Sequence, residues 1–300
     1  MKHEASTVSV VLCALNEEAN IERVLRSLAS QPVEEVILVD GGSSDRTEEI
    51  ARRVYPSVRV IERPGEGLLR QRLWGIHEAR GDLLLLLDAD DELEEGSVAA
   101  AIEHLEDRRL DGSQFGFGID RRSFWSRRWS EMLIVSSPEG RRLTMIGRPA
   151  LVRASIFAGL VPRTAPFGVV GAEDSYIRSA LLESGVVPAF EAGPGRTVRR
   201  QPVRLSEIAQ KSWNYGREDA SQIRRFGGFR ETYFHLLWRY PVVRGSRALL
   251  RYGPATAAIC VMVGLARAVS CCVHLVAARW SSGWAQARAR PTGEGSPHGR

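Results

Sequence analysis

Lysine is almost missing from this chain. Of 41 basic residues only Lys2 and Lys211 are lysine, so the formal charge of +5 is carried by arginine. That excludes a surface of flexible ammonium groups and leaves planar guanidinium forks, whose paired donors match phosphate and carboxylate. The same excess suits an anionic membrane or a nucleic acid, so charge alone selects no partner. Cysteine is scarce as well: Cys13, Cys260, Cys271 and Cys272 show neither metal-ligand spacing nor a disulfide framework, which favours a reducing compartment. The six histidines form no HxxxH pair. Met1 to Thr7 is polar and lacks the apolar run of a secretory signal, so the catalytic part is expected in the cytosol. No internal repeat is visible. An apolar fraction of 44% with 26% charged residues argues against a disordered chain, and 300 residues allow one large domain or two small ones.

What is present in excess is leucine at one place. Leu83 to Leu87 are five leucines in a row, stopping in Asp88-Ala89-Asp90-Asp91. A short unbroken apolar run between turn-like residues predicts a strand buried on both faces. Such a strand delivers its terminal acids to the carboxyl edge of a parallel sheet, where open α/β folds place their ligands. Carboxylates crowded together resist ionisation unless a cation sits among them. A divalent metal carrying phosphate oxygens on its other face is the economical reading, against a plain solvated loop. The segment points to a phosphate-handling enzyme.

The first ninety residues alternate strand and helix. Strands are predicted at Val8–Leu12, Val36–Val39, Val58–Ile61 and Leu83–Leu87. Between them, Asn16 is read as the cap of a helix burying Ile21, Val24, Leu25 and Leu28. Asp45 with Glu48 reads as a capping box for a helix carrying Ile50, Ala51 and Val54, and residues 68–79 form a third helix. This rhythm implies a parallel sheet. Beyond Asp91 the pattern loosens: a helix over Ser97–Leu105, a strand near Gln114–Ile119, a strand and short helix over Leu143–Val152 and Ile156–Leu160, and a helix opened by Ala172-Glu173-Asp174 and stopped at Gly185.

From Ser206 to Tyr252 the chain reads as helical, basic and aromatic. Ala255–Ala278 is long enough to span a bilayer, which takes ~20 apolar residues. Arg267 near its middle costs roughly 2.5–3.5 kcal/mol on insertion scales. Thr256, Cys260, Gly264, Arg267, Cys271 and His274 form one small or polar stripe, and Arg247, Arg251 and Arg279 flank both ends, so no orientation follows. These features favour a helix lying in the interface or re-entering over a clean span; the alternative is a buried helix of a soluble domain. The segment from about Ala285 is Gly/Pro/Arg-rich and expected to be disordered.

Taken in order, the motifs resemble the family 2 glycosyltransferases. Val8–Asn20, VSVVLCALNEEAN, is similar to that family's opening strand and Asn-Glu turn. Val36–Thr47, VILVDGGSSDRT, matches its Asp-Gly-Ser-x-Asp segment with a glycine in the usual place of an acid. Leu84–Ser97, LLLLDADDELEEGS, matches the DxD motif, and Gly171–Gly185, GAEDSYIRSALLESG, the Glu-Asp motif. The resemblance covers residues 8–98 well, 145–190 fairly, and is only general beyond about 200. It implies a GT-A (Rossmann-like α/β) nucleotide-sugar-binding sheet with helices on both faces over 1–200 (nucleotide half 8–98, acceptor half 99–200). A helical, membrane-associated region over 201–284 and a tail over 285–300 complete the expected layout.

The resemblance also implies roles. Leu15, Asn16, Glu17 and Asp40 would line the nucleoside pocket, with Arg72 and Ala89 on the donor. Asp88 would lie near ribose and metal, and Asp90 would ligate Mg2+ or Mn2+ bridging the diphosphate. Asp174 would be the general base on the acceptor hydroxyl, placed by Glu173. A base opposite the leaving group implies in-line displacement with inversion. The expected partners are a nucleotide-diphosphate sugar, a glycan or lipid-linked acceptor and the cytoplasmic face of a membrane, with nucleic acid not among them. Two departures stand out. Arg72-Leu73-Trp74-Gly75 keeps the arginine and glycine of the family's Arg-Asn-x-Gly but loses the asparagine, leaving Arg72 or Arg70 either on a phosphate or base or on an exposed helix face. No histidine follows the Glu-Asp motif where some relatives have one; Arg199, Arg200 and Arg204 are candidates for the diphosphate instead.

Two rivals remain at this level. An aspartyl phosphatase also ends a buried strand in Asp-x-Asp, but its nucleophile usually sits on the first strand, which here ends in Ala14-Leu15-Asn16. A catalytically degenerate, membrane-bound scaffold is the non-enzymatic alternative, opposed by the intact Asp40, Asp88, Asp90 and Asp174.

Overall fold

The structure, a computed structural model, describes residues 6–136, 140–143, 147, 149–160, 162–166 and 173–288. It comprises two compact units divided between Arg204 and Leu205.

In the first unit the chain runs β1 (Val8–Ala14), α1 (Ile21–Leu28), β2 (Glu35–Asp40), α2 (Thr47–Val54), β3 (Arg59–Glu62), α3 (Leu68–Glu78) and β4 (Leu83–Asp88). It continues through β5 (Asp91–Leu93), α4 (Ser97–Asp107), β6 (Gly112–Phe117), α5 (Phe124–Ser136), β7 (Arg142–Leu143), β8 (Ala150–Arg153), α6 (Glu173–Glu183) and β9 (Phe190–Arg199). The sheet order is β3-β2-β1-β4-β8-β6-β9-β5, with β7 added on β9. The first four strands are parallel, as the alternating rhythm predicts; β8 then pairs antiparallel with β4, so the sheet is mixed.

The leucine run explains the layers. Leu83, Leu85 and Leu87 pack with Ile21, Leu25 and Leu28 of α1 and Val98, Ala101 and Leu105 of α4. Leu84 and Leu86 point the other way, into a core shared with Leu69 and Leu73 of α3 and Ile177 and Leu181 of α6. Each such side chain contributes about 1.5–3 kcal/mol when fully buried, and alternation places one set on each face. Helix α3 lies close on the sheet because position 75 is glycine: a Cβ there would run into the side chains of Val11 and Val39. At the opposite end of the leucine run, the Thr7 backbone N–H and hydroxyl both donate to Asp82 (3.1 and 2.8 Å), and the Asp82 N–H returns a bond to the Thr7 hydroxyl.

Three local expectations are corrected. Asn16 does not cap α1, which begins only at Ile21; it adopts a left-handed backbone (φ 57°), and its side-chain oxygen accepts from the Ser44 N–H at 2.8 Å. Asp45 forms no reciprocal box with Glu48; its carboxylate takes the N–H and hydroxyl of Thr47 and, from the other side, the Glu18 N–H. Arg70 and Arg72 do not lie on an exposed helix face, for both are buried. The stretch 186–200, for which no element was predicted, contains the ten-residue β9.

The second unit is helical: α7 (Leu205–Phe226), α8 (Phe229–Phe234), a π-helical stretch over His235–Arg244, α9 (Gly245–Tyr252) and α10 (Pro254–Arg288). The π-helix holds Pro241, whose missing N–H a wider turn tolerates. Gly264 lets α10 approach this stretch, since a Cβ would press on the Leu236 carbonyl. The small and polar stripe of α10 faces inward: Thr256, Cys260 and Cys271 are fully buried, and Arg267 forms a two-armed ion pair with Asp219 of α7 (2.8 and 3.0 Å) beneath the rings of Tyr215 and Tyr240. The outward face carries Val261, Leu265, Val269, Val273 and Val276, each 39–57% exposed. Pro254–Ala278 is long and apolar enough to cross a membrane, with mean hydropathy 2.1. The tail expected from Ala285 is helical as far as Arg288; from 289 on it lies outside the described residues.

Candidate active site

Parallel pairing brings the acidic strand ends to one edge. Ala14 pairs with Asp40 on one side of β1, and Cys13 pairs with Asp88 on the other, so both acids stand at the carboxyl edge one strand apart. Around them lie the β1–α1 turn, with exposed Leu15 and with Asn16 and Glu17, and the loop Ala89-Asp90. The turn is tied to the neighbouring segment by Asn16 N–H to the Ser43 hydroxyl (2.9 Å) and Glu17 N–H to the Thr47 hydroxyl (2.8 Å). Glu17 accepts from the Asn20 amide at 2.8 Å. Asp40 is buried and takes the Gly42 and Ser43 N–H groups (2.9 and 2.8 Å) and the Ser43 hydroxyl, which fixes the Gly-Gly-Ser turn.

The densest charge lies at the end of β4. One oxygen each of Asp88, Asp90 and Asp91 falls within 4.8 Å of the others. Their environments differ: the Asp88 and Asp90 side chains are 24% and 31% exposed, whereas that of Asp91 is wholly buried. Arg72, also wholly buried, reaches Asp88 at 2.6 Å from α3. Arg199, at the end of β9, grips Asp91 with two nitrogens (2.8 and 2.5 Å) and also contacts Asp88 at 3.1 Å and Asp90 at 3.3 Å. Arg23 of α1 donates to the Asp90 carbonyl at 3.1 Å and pairs with Glu92 at 3.1 Å, clamping the loop from its other side. Burial pushes the Asp91 carboxyl up, with Arg199 pulling it back. Burial also works against the Arg199 charge, but Asp91, then Asp90 and Asp88, hold the guanidinium well above its ordinary value. Arg199 therefore stays protonated.

Hard carboxylate oxygens in this number suit Mg2+ or Mn2+ and do not suit thiol-seeking metals. Asp88 and Asp90, the two accessible members, would hold the ion. The Glu-Asp pair opens α6 as its motif suggests, with Glu173 buried and Asp174 half-buried; the glycine-rich stretch 167–171 that leads into it lies outside the described residues. The motifs did not assign Arg23, Asp91 or a role for Arg199 within the acidic cluster. Asp91 had a signal in its place beside the motif and Arg199 had been named for the diphosphate; Arg23 had none.

The fold defines a class before any single relative does. A mannosyltransferase of Pyrobaculum calidifontis, solved with GDP-Man and Mn2+, superposes with a TM-score of 0.53 over 96% of this chain and 82% of that one, at 18% identity. TarS residues 1–349 of S. aureus, solved with UDP-GlcNAc, gives 0.50 over 92% of each chain at 15% identity. These likenesses establish a GT-A-like α/β fold. The chain belongs to glycosyl transferase family 2, whose sequence model matches residues 9–159, half of its length. Among curated proteins, the uncharacterized glycosyltransferase EpsJ of Bacillus subtilis is 31% identical over 140 residues, 44% of this chain and 41% of its own. Glucosyl-3-phosphoglycerate synthase of Mycobacterium tuberculosis is 39% identical over 98 residues, 28% of this chain and 29% of its own. The chain thus spans less than half the length of these relatives.

Proposed function

We propose that this protein transfers a sugar from a nucleotide-diphosphate donor to a hydroxyl acceptor, with a divalent metal and with inversion. The observation that carries the reading is the pair of accessible carboxylates, Asp88 and Asp90, at the edge shared with Asp40 and backed by buried arginine. Mg2+ or Mn2+ bound there would offset the charge gathering on the departing diphosphate. The protein's own part is to hold that pair in place through Arg72, Arg199 and Arg23, and to shape the nucleoside side with Leu15, Asn16, Glu17, Asp40 and Ala89. Asp174 takes the proton of the acceptor hydroxyl, and Glu173 sets its position. Support comes from the family match and from the GDP-Man, UDP-GlcNAc and Mn2+ in the two fold relatives. Calorimetric titration with UDP, GDP and dTDP tests it: at least one is expected to bind with Mn2+ and to lose most of its affinity in EDTA. No binding of any of the three with Mn2+ would end the reading.

We assign the protein to the cytoplasmic face of a membrane and its acceptor to lipid-linked or envelope glycans. The carrying observation is the inverted helix α10, polar inside and valine-lined outside. Phe234, Leu237, Trp238, Leu249 and Leu250 add exposed apolar surface, and Arg230, Arg239, Arg247 and Arg251 are exposed among them, a mixture suited to anionic headgroups. Among the described residues Cys13, Cys260, Cys271 and Cys272 form no disulfide, consistent with a reducing side. The protein is expected to co-sediment with vesicles containing anionic phospholipid, and Leu265→Glu with Val269→Glu to leave it in the supernatant. A wild-type protein that stays monodisperse without detergent and ignores vesicles would refute the assignment.

A further inference from the structure

The arginine at the end of β9 stands where a metal would have to work. Arg199 contacts all three acids of the Asp88–Asp91 cluster, and Arg72 adds a second cation on Asp88. Two guanidinium groups therefore already offset two of the three carboxylate charges. Asp91 is committed to Arg199 by two bonds in a site closed to water, while the longer contacts reach the two acids open to solvent.

We infer that Arg199 is a resident countercharge that competes with the divalent cation for Asp88 and Asp90, making metal binding conditional on the nucleotide. The inference rests on the metal-dependent reading above. A fixed positive charge a few ångströms from a dication opposes its entry. A diphosphate brings enough negative charge to reverse that balance, so metal and nucleotide stabilise each other's binding and neither occupies the site well alone. Charge compensation by Arg199 would also hold Asp88 and Asp90 together at rest, where two bare carboxylates would repel.

The test measures Mn2+ affinity by electron paramagnetic resonance of the free ion, which reads binding without turnover. In wild type, Mn2+ alone is expected to bind weakly and to tighten strongly when UDP or GDP is present. Arg199→Gln should tighten Mn2+ binding in the absence of nucleotide by about tenfold or more and shrink the nucleotide's effect. Because that variant strands Asp91 in the interior, Arg199→Gln with Asp91→Asn is made alongside it; this pair removes both buried charges and should also bind Mn2+ more tightly than wild type. Asp91→Asn alone should do the opposite, since a guanidinium released from Asp91 settles more firmly on Asp88 and Asp90. If folded Arg199→Gln and the double variant bind Mn2+ no more tightly than wild type, the competition is wrong while the metal site stands. If wild type and all variants ignore Mn2+ even with nucleotide, both the competition and the metal-dependent reading are wrong.

Discussion

With Asp90 replaced by alanine, Mn2+ and a nucleoside diphosphate together are expected to raise the melting temperature no more than Mn2+ alone. A ligand at a hundred times its dissociation constant stabilises a protein by about 2.7 kcal/mol. For a unit of this size that is a rise of roughly 5–10 °C in the wild type. The expected loss is the whole of this rise, because Asp90 is one of only two accessible carboxylates in the cluster. The unliganded melting temperature should hardly move. Asp90 sits on a loop, nearly a third exposed, and its contact to Arg199 is a 3.3 Å pair open to water; exposed pairs contribute about 0–1 kcal/mol. Equal shifts in wild type and Asp90→Ala would remove Asp90 from the metal site. A collapse of the unliganded protein would instead make it a structural residue.

Asp174→Asn should lower the transfer rate by about 10²–10⁴, the usual cost of losing a general base, and leave donor affinity close to wild type. Asparagine keeps the size of the side chain and most of its hydrogen bonding but cannot accept the acceptor's proton. In the proposed scheme the donor is held from the other motifs, at the ends of β2 and β4, so its affinity should not depend on the first turn of α6. The two measurements separate the possibilities. Near-wild-type turnover rules Asp174 out as the base, and a large loss of nucleotide-sugar affinity moves it to the donor side. Glu173, buried beside it, serves as a positioning residue in this scheme, and Glu173→Gln should cost less than Asp174→Asn.

Much of the fold could be read from the chain because its first half obeys simple rules. The unbroken leucines of β4 could only be a strand covered on both faces, and the β-branched runs Val8–Leu12 and Val36–Val39 run parallel to it, the first paired with β4 and the second with the first. The acids at the ends of β2 and β4 then had to share an edge. β9 was illegible for the opposite reason. Its sequence, Phe-Glu-Ala-Gly-Pro-Gly-Arg-Thr-Val-Arg, carries the residues that usually break a strand. The structure shows why they are there: a Cβ at Gly193 would strike Ser113, and one at Gly195 would press on the ring of Phe115. Close packing against β6 demanded the glycines, and the register shifts where they occur. Arg199 was named as a candidate for the diphosphate, but its place at the end of a strand and its grip on the acids were hidden with β9, and so was the burial of Asp91. Arg72 was flagged by its motif, but nothing in a helix rich in arginine says which guanidinium turns inward. For α10 the stripe of small and polar residues was visible; that it packs against α7 and the π-helix, leaving valines outside, required the tertiary contacts.

The leucine run has a cost for folding that its stability conceals. In most half-buried strands a one-residue slip carries apolar side chains to the wrong face and is rejected at once. In β4 a slip only exchanges one leucine for another, on faces that are both greasy, so the interior of the strand cannot tell correct pairing from its neighbours. The information must sit at the two ends. Thr7 and Asp82 interlock by three hydrogen bonds where β1 and β4 begin, and Arg72 and Arg199 seize Asp88 where β4 stops. A strand rises about 3.3 Å per residue, so one step of slippage would carry Asp88 out of line with Asp40 and part every one of these bonds. The same arginines that order the acidic edge thus serve as the proofreaders of strand alignment. A chain deprived of its Thr7–Asp82 lock would search longer among near-degenerate pairings before finding the one that builds a site.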